Sequence, residues 1–139
     1  MGDLAPDLYV ALGHLVRSLR QEVPSGALGA GGVSALAALA RGGPMRASAL
    51  AEVEGVSGAG MTRILNRLET DGLATRAPDP GDGRAQVVSL TPAGERLIAE
   101  GSEVKMAALR RRVGALTDGE RTALARAVPL LEKLAEGRG

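Results

Sequence analysis

The segment that decides the fold is residues 57–94, which reads SGAGMTRILNRLETDGLATRAPDPGDGRAQVVSLTPAG. Its first third carries apolar residues at three- and four-residue spacing, which predicts a helix over about residues 58–71 with one buried face. Ser57 precedes that helix as an N-cap, and Gly72 follows it at a position that favours a left-handed backbone. The predicted buried face consists of Met61, Ile64, Leu65 and Leu68.

After this helix, two short strand-like runs flank a loop rich in proline and glycine. The runs are LATRA at residues 73–77 and AQVVSL at residues 85–90. Turn residues between two such runs predict a β-hairpin, and Arg84 is expected at the tip of its loop. Thr91 and Pro92 then have the residue types of an N-cap and a first helical position, so a further helix is predicted to begin there.

The rest of the chain is predicted to be mostly helical. Apolar residues recur at helical spacing near both ends of the chain, and Thr117 with Glu120 forms a capping box that opens the last helix. The glycine-rich run PSGALGAGG at residues 24–32 is expected to be a loop. The predicted helices cover about 5–22, 33–40, 47–54, 58–71, 92–114 and 118–136.

Composition favours an aliphatic, helical core and excludes several kinds of site. The chain has 139 residues, which suits a single domain, and only 1% of them are aromatic. With no cysteine and one histidine, we predict no disulfide, no thiol switch and no multi-histidine metal site. We find no nucleophile with a partner base and no phosphate-binding loop, so we predict neither an enzyme nor a cofactor. The lack of a long apolar run or a signal-like start predicts a soluble, cytoplasmic protein without membrane contact.

The order helix, tight turn, helix and hairpin is typical of a winged helix-turn-helix, which places its second helix in the DNA major groove. Over about 45 residues the chain resembles the MarR family, the multiple-antibiotic-resistance type of transcriptional regulators. The resemblance covers nearly the whole chain, because the lengths of the flanking helices also fit. The matching residues are Gly55-Val56-Ser57, Thr62-Arg63, Arg67-Leu68-Glu69, Gly72-Leu73, Arg76, Asp82 with Arg84, Leu90-Thr91 and Gly94.

The resemblance implies a mainly α fold: a winged helix-turn-helix with a two-stranded β-wing and flanking dimerisation helices. Within one domain of residues 1–139, it implies a DNA-binding lobe over about 28–91 and dimerisation helices over about 5–22, 92–114 and 118–136. Members usually repress genes and release DNA when a small, often phenolic, molecule binds. The implied function is therefore a sequence-specific, ligand-responsive repressor. Its partners would be a pseudo-palindromic double-stranded DNA operator, a second copy of the chain and a small effector.

The candidate DNA-binding residues follow from placing the predicted helix 58–71 in a major groove and the hairpin beside it. Arg63 suits a guanine edge or a phosphate, Arg76 suits a phosphate, and Arg84 suits a narrow minor groove. Asp82 is expected to orient an arginine of the wing. The candidate contacts are Ser57, Gly58, Ala59, Gly60, Thr62, Arg63, Asn66, Arg76 and Arg84.

Charge leaves an alternative function open, a winged-helix protein-interaction module without DNA binding. Residues 57–94 contain four arginines (63, 67, 76 and 84) and four acids (69, 71, 79 and 82), so the formal charge sums to zero. Arg67 and Glu69 are close enough in sequence to form a local ion pair. Gly58 and Gly60 also weaken the start of the helix. An exposed Arg84 at a loop tip argues against the alternative, because an interaction module has no evident need for it.

Overall fold

The computed structural model describes residues 2–24 and 26–137, and within them the chain is mainly helical, as predicted. None of the helices in these residues is long and apolar enough to cross a membrane. The elements are α1 Ala5–Gln21, a 3-10 helix Gly26–Leu28, α2 Gly29–Gly42, β1 Met45–Arg46, α3 Ala47–Glu54, α4 Gly58–Thr70, β2 Ala74–Asp79, β3 Asp82–Leu90, α5 Pro92–Gly114 and α6 Asp118–Ala135.

The chain divides into two compact units. The first, termed the lobe, runs from Val23 to Glu103 and contains α2, α3, α4, the three strands and the first part of α5. The second, termed the helical unit, combines the residues up to Glu22 with those from Val104 onward, and so contains α1, the end of α5 and α6.

The lobe is built around an aliphatic core. The predicted buried face of α4 is confirmed: Met61, Leu65 and Leu68 are at most 1% exposed, and Ile64 packs against the core from its edge. Burying one such side chain stabilises the fold by roughly 1.5–3 kcal/mol. The remaining core residues come from α2, α3 and the sheet, and are Ala35, Leu36, Ala38, Leu39, Leu50, Ala51, Ala74 and Val88.

Helix α2 begins at Gly29, inside the run that was predicted to be a loop, so that prediction was wrong for residues 29–32 (Ser25 of the same run lies outside the described residues). The reason is close packing against α4. A Cβ on Gly31 would lie 3.4 Å from Ile64 Cδ1, and one on Gly32 would lie 3.7 Å from Leu68 Cδ2. Gly32 is buried, and its contact with α4 offsets part of the cost of glycine in a helix, which is about 1 kcal/mol per residue.

The predicted two-stranded wing is confirmed as the hairpin of β2 and β3, and a short strand that was not predicted, β1, adds to the same sheet. Strand β3 lies between β2 and β1 and is antiparallel to both. In the pairing of β1 with β3, Met45 lies opposite Val88 and Arg46 lies opposite Val87. A two-residue strand has no periodicity of its own, so only this distant pairing defines it.

The turn of the wing is tighter than predicted. Asp79 pairs with Asp82, so the tip is Pro80-Gly81, and Arg84 lies within β3 rather than at the loop tip. Two aspartates stabilise this turn through their own side chains. The Asp79 carboxylate accepts the Gly81 N–H at 2.8 Å, and the Asp82 carboxylate accepts the Arg84 N–H at 3.1 Å. Such Asx turns replace strand pairing where the chain reverses.

The start of α5 is fixed directly to the end of α4. Thr91 caps α5 as predicted, because its Oγ1 accepts the Gly94 N–H at 3.1 Å and donates to the Gly72 carbonyl at 2.6 Å. The Thr91 N–H also donates to the Leu73 carbonyl at 3.1 Å. A Cβ on Gly94 would fall far inside van der Waals contact with the Leu73 carbonyl oxygen, so only glycine fits at this position.

In the helical unit, the apolar side chains of α1 and α6 are not buried within one chain. Neither α1 nor α6 has a buried residue. The predicted capping box of α6 is confirmed, since Thr117 Oγ1 accepts the Glu120 N–H at 3.2 Å and Glu120 Oε1 accepts the Thr117 N–H at 2.9 Å. Arg112 joins α5 to Glu22, which follows α1, by a hydrogen bond of 2.7 Å.

Replacing Gly94 by Ala should destabilise the protein by about 1–3 kcal/mol, because the new methyl group must displace the Leu73 carbonyl. Urea unfolding followed by far-UV circular dichroism measures this loss. Gly58→Ala is the matched control, since a Cβ there meets nothing within 4 Å, and it should leave stability unchanged or slightly higher. Equal loss in both variants would contradict the steric argument.

Candidate nucleic-acid interface

A tight turn joins α3 to α4. Gly55 ends α3 with a φ of 66°, in the left-handed region where glycine is favoured. Ser57 then caps α4 as predicted, because its Oγ accepts the Gly60 N–H at 3.0 Å. A Cβ on Gly60 would lie 3.2 Å from that Oγ, so the glycine makes room for the cap. The first turn of α4 is therefore well defined although it contains two glycines.

Burial of one face of α4 leaves the opposite face exposed. Thr62, Arg63 and Asn66 are all exposed, as are Gly58 and Ala59 in the first turn. The Thr62 hydroxyl donates to the Gly58 carbonyl at 3.0 Å, which leaves its oxygen free to accept. Across the described residues the Arg63 guanidinium forms no hydrogen bond or ion pair. The predicted contact residues of α4 thus share one accessible surface.

The acidic side chains of α4 and the wing form contacts with other residues of the lobe. Asp71 pairs with Arg67 at 3.1 Å, which confirms a local ion pair for Arg67, although its partner is Asp71 and not the neighbouring Glu69. Residues four apart face each other on a helix, whereas residues two apart do not. The other acids are also occupied: Glu69 binds Arg76 at 2.7 Å, Asp79 binds Arg46 at 2.7 Å, and Asp82 accepts the Arg84 N–H.

Arg76 links strand β2 to helix α4. Its Nε donates to Glu69 Oε1 at 2.7 Å, and its Nη2 donates to Glu69 Oε2 at 3.1 Å and to Asn66 Oδ1 at 2.7 Å. These hydrogen bonds lower the pKa of the Glu69 carboxyl, and the same contact raises the pKa of Arg76. Sequence reasoning missed the role of Glu69, because its partner lies seven residues away in a different element.

Arg46 is a second residue that sequence reasoning did not select. Its Nε donates to Asp79 Oδ2 at 2.7 Å and so ties β1 to the end of β2. The pKa of Asp79 is lowered first by the Gly81 N–H and then by Arg46. No local signal reveals this pair, since its members are 33 residues apart. Arg46 also borders a shallow cleft of about 450 Å³, lined further by Ala47, Ser48, Asp82, Arg84, Ala85 and Gln86.

Arg84 and Asp82 lie on the wing, but not in the predicted relation. The Asp82 carboxylate holds the backbone N–H of Arg84, and not its guanidinium. The Arg84 side chain is exposed and forms no ion pair with the described residues. Asp82 thus shapes the strand that carries Arg84 without bonding to its guanidinium group.

Replacing Arg76 by Gln should raise the pKa of Glu69 toward its ordinary value, because the hydrogen bond from Arg76 is the main cause of the lowering. In the wild type this pair stabilises the fold above the ordinary glutamate pKa. That contribution disappears as the pH falls through the lowered folded-state pKa. An NMR titration of the carboxyl carbons measures the change.

Glu120 serves as the control in the same spectra. Its pKa is lowered by the backbone N–H of Thr117, far from Arg76 in sequence and in another unit. It should therefore keep its value in the variant. A Glu69 pKa that stayed low without Arg76 would contradict the assigned cause.

A tight turn, a capped helix with an exposed arginine and a following β-hairpin together define a winged helix-turn-helix domain. The MarR family model matches residues 33–85. An uncharacterised HTH-type transcriptional regulator from Mycobacterium bovis is 36% identical over 133 residues, covering 96% of this chain and 93% of that protein. The chain belongs to the MarR family of DNA-binding transcriptional regulators.

Solved structures agree with this assignment. A putative transcriptional regulator from Pseudomonas aeruginosa is 32% identical and superimposes with a TM-score of 0.81, covering 96% of this chain and 94% of that one. BpsR from Bordetella bronchiseptica is 26% identical, with a TM-score of 0.62 and coverage of 96% and 93%. The DNA binding of BpsR is regulated by 6-hydroxynicotinic acid.

Proposed function

We propose that this regulator is a homodimeric, ligand-responsive repressor that binds a pseudo-palindromic operator sequence-specifically. The observation that carries the proposal is which charged groups of the lobe are paired and which are not paired with the described residues. The four acids of residues 57–94 are occupied by internal contacts, whereas the guanidinium groups of Arg63 and Arg84 form no bond with the described residues. A formally neutral segment therefore offers DNA phosphates and bases two cations that no described residue neutralises.

In this proposal α4 enters the major groove. Thr62, Arg63 and Asn66 would reach base edges, with Arg63 best suited to guanine. The small residues from Gly58 to Gly60 would let the backbone approach a phosphate, which the free N–H groups of a helix start can bind. Arg84 on the wing would contact the backbone or a narrow minor groove.

A second copy of the chain would complete the molecule. Helices α1 and α6 carry apolar side chains that one chain leaves exposed, including Tyr9 at 82%, Val128 at 54% and Leu134 at 63%. Uncovered apolar faces of this kind mark interaction surfaces. A twofold dimer would place two copies of α4 in successive major grooves, about 34–36 Å apart.

The effector part of the proposal rests on the relative regulated by 6-hydroxynicotinic acid. A small aromatic or phenolic molecule would bind more tightly to a conformation that holds DNA poorly. By linkage, the effector would lower the affinity for the operator by the same factor by which bound operator lowers the affinity for the effector.

Replacing Arg84 by Ala should lower the slope of log K against log salt by about two, because each copy of the dimer loses one phosphate-neutralising charge. Fluorescence anisotropy with duplex DNA from upstream of the protein's own gene measures the slope over a salt series. Arg63→Ala should weaken binding by about 1–3 kcal/mol per half-site and relax the preference at one base pair in each half-site.

The control for both variants is Arg67→Ala. Arg67 also lies on α4, but Asp71 already neutralises it at 3.1 Å, so the slope should change by less than about one. Equal effects of all three substitutions would contradict the assignment of Arg63 and Arg84. Absence of binding by the wild type at low salt would instead favour the protein-interaction module that formal charge neutrality suggests.

Replacing Val128 by Glu should weaken the dimer at least about tenfold, because two carboxylates would be brought into an apolar contact. Sedimentation velocity over a concentration series measures the dissociation. Val53→Glu is the matched control, since Val53 is 63% exposed but lies on α3 in the lobe. It should leave the oligomeric state unchanged, and a dimer that resisted Val128→Glu would exclude this part of α6 from the interface.

A further inference from the structure

The contact between Arg76 and Asn66 determines which atoms of the Asn66 amide remain available. Arg76 Nη2 donates to Asn66 Oδ1 at 2.7 Å. A guanidinium group can only donate hydrogen bonds, so the amide atom that faces it must be the oxygen. The NH2 group at the other end of the planar amide forms no hydrogen bond with the described residues. Asn66 is exposed, so this NH2 group is accessible from outside the lobe.

Glu69 holds Arg76 in the position that orients the Asn66 amide. The two bonds from Arg76 to the Glu69 carboxylate, 2.7 and 3.1 Å long, involve two guanidinium nitrogens and both carboxylate oxygens. Such two-point contacts between planar groups fix orientation as well as distance. Glu69 and Asn66 are three residues apart on α4 and therefore lie on the same side of the helix. Rotating the Asn66 amide by half a turn would bring its NH2 donors against the Arg76 donors.

Charge supports an orienting role for this cluster. Glu69 neutralises Arg76, and the Arg76 side chain is only 20% exposed. The pair therefore adds little attraction toward DNA phosphates, in contrast to Arg63 and Arg84, which form no ion pair with the described residues. What the pair provides is a fixed direction for the neighbouring amide.

We infer that Glu69 and Arg76 are positioning residues that commit Asn66 to hydrogen-bond donation, so that Asn66 selects guanine over adenine at the operator base it meets. This inference rests on the proposed operator binding. Guanine presents two acceptors, O6 and N7, in the major groove. Recognition of adenine by asparagine needs the amide oxygen to accept from N6, but here that oxygen is turned toward Arg76, which takes one of its two acceptor positions.

The test is selection of bound duplexes from a random DNA library by the wild-type full chain, followed by sequencing. Asn66→Ala should remove a preference for guanine over adenine of about fivefold or more at one position in each half-site. Arg76→Ala should reduce this preference at the same position or shift it toward adenine, because the Asn66 oxygen becomes free. Preferences at the other positions should persist, which a general loss of structure would not allow.

Asn66→Asp provides a nearly isosteric second variant. One carboxylate oxygen keeps the bond to Arg76, and the outward atom changes from a donor to an acceptor. The preference should therefore move from guanine to cytosine, whose N4 group donates in the major groove. If Arg76→Ala fails to fold, this variant decides the question, because it leaves the link between α4 and β2 intact.

Arg67→Ala is the control, since it removes another arginine from α4 without touching Asn66, and it should retain the guanine preference. A guanine preference unchanged in Arg76→Ala, or position preferences unchanged in Asn66→Ala, would overturn the inference alone. So would a preference in Asn66→Asp that did not move to cytosine. If the wild type selected no consensus, the proposed operator recognition would fall, and the inference would fall with it.

Discussion

The lobe depends on the burial of one face of α4 against α2. Met61, Leu65 and Leu68 have essentially no exposed surface, and their burial fixes the rotation of the helix about its own axis. That rotation decides which residues face outward. Gly31 and Gly32 belong to the same packing, since a Cβ on either would lie at contact distance from Ile64 or Leu68.

Ion pairs then set the position of the wing relative to α4. Each pair is at least partly exposed, so its contribution to stability is small, on the order of 0–1 kcal/mol. Their main effect is on geometry, because Arg76 connects β2 to α4 and Arg46 connects β1 to the wing turn. Acidic residues that appear unfavourable near DNA therefore act as internal supports. The net charge of the segment is a poor guide to the charges that it presents outward.

The sequence predicted what is encoded locally. Caps at Ser57, Thr91 and Thr117 and the buried face of α4 follow from residues within one or two turns of each other, and the structure confirms them. Long-range features were missed for a physical reason. Strand β1 exists only through its pairing with Val87 and Val88.

The same reason explains the other errors. The glycines of α2 look like loop residues until Ile64 and Leu68 pack on them, and the partners of Arg76 lie in another element. Arg84 was displaced from the predicted tip because the turn closes at Pro80-Gly81. The candidate contacts on α4 were placed on its exposed face by periodicity alone. Their actual use by DNA stays a prediction.

The near absence of aromatic residues has a practical consequence for following assembly. Tyr9 is the only aromatic side chain in the 139 residues, and it is 82% exposed on α1. All intrinsic ultraviolet fluorescence of the protein therefore comes from one site on a helix proposed to meet a second copy. Its emission and anisotropy provide an unlabelled optical reporter of association, free of background from any other residue.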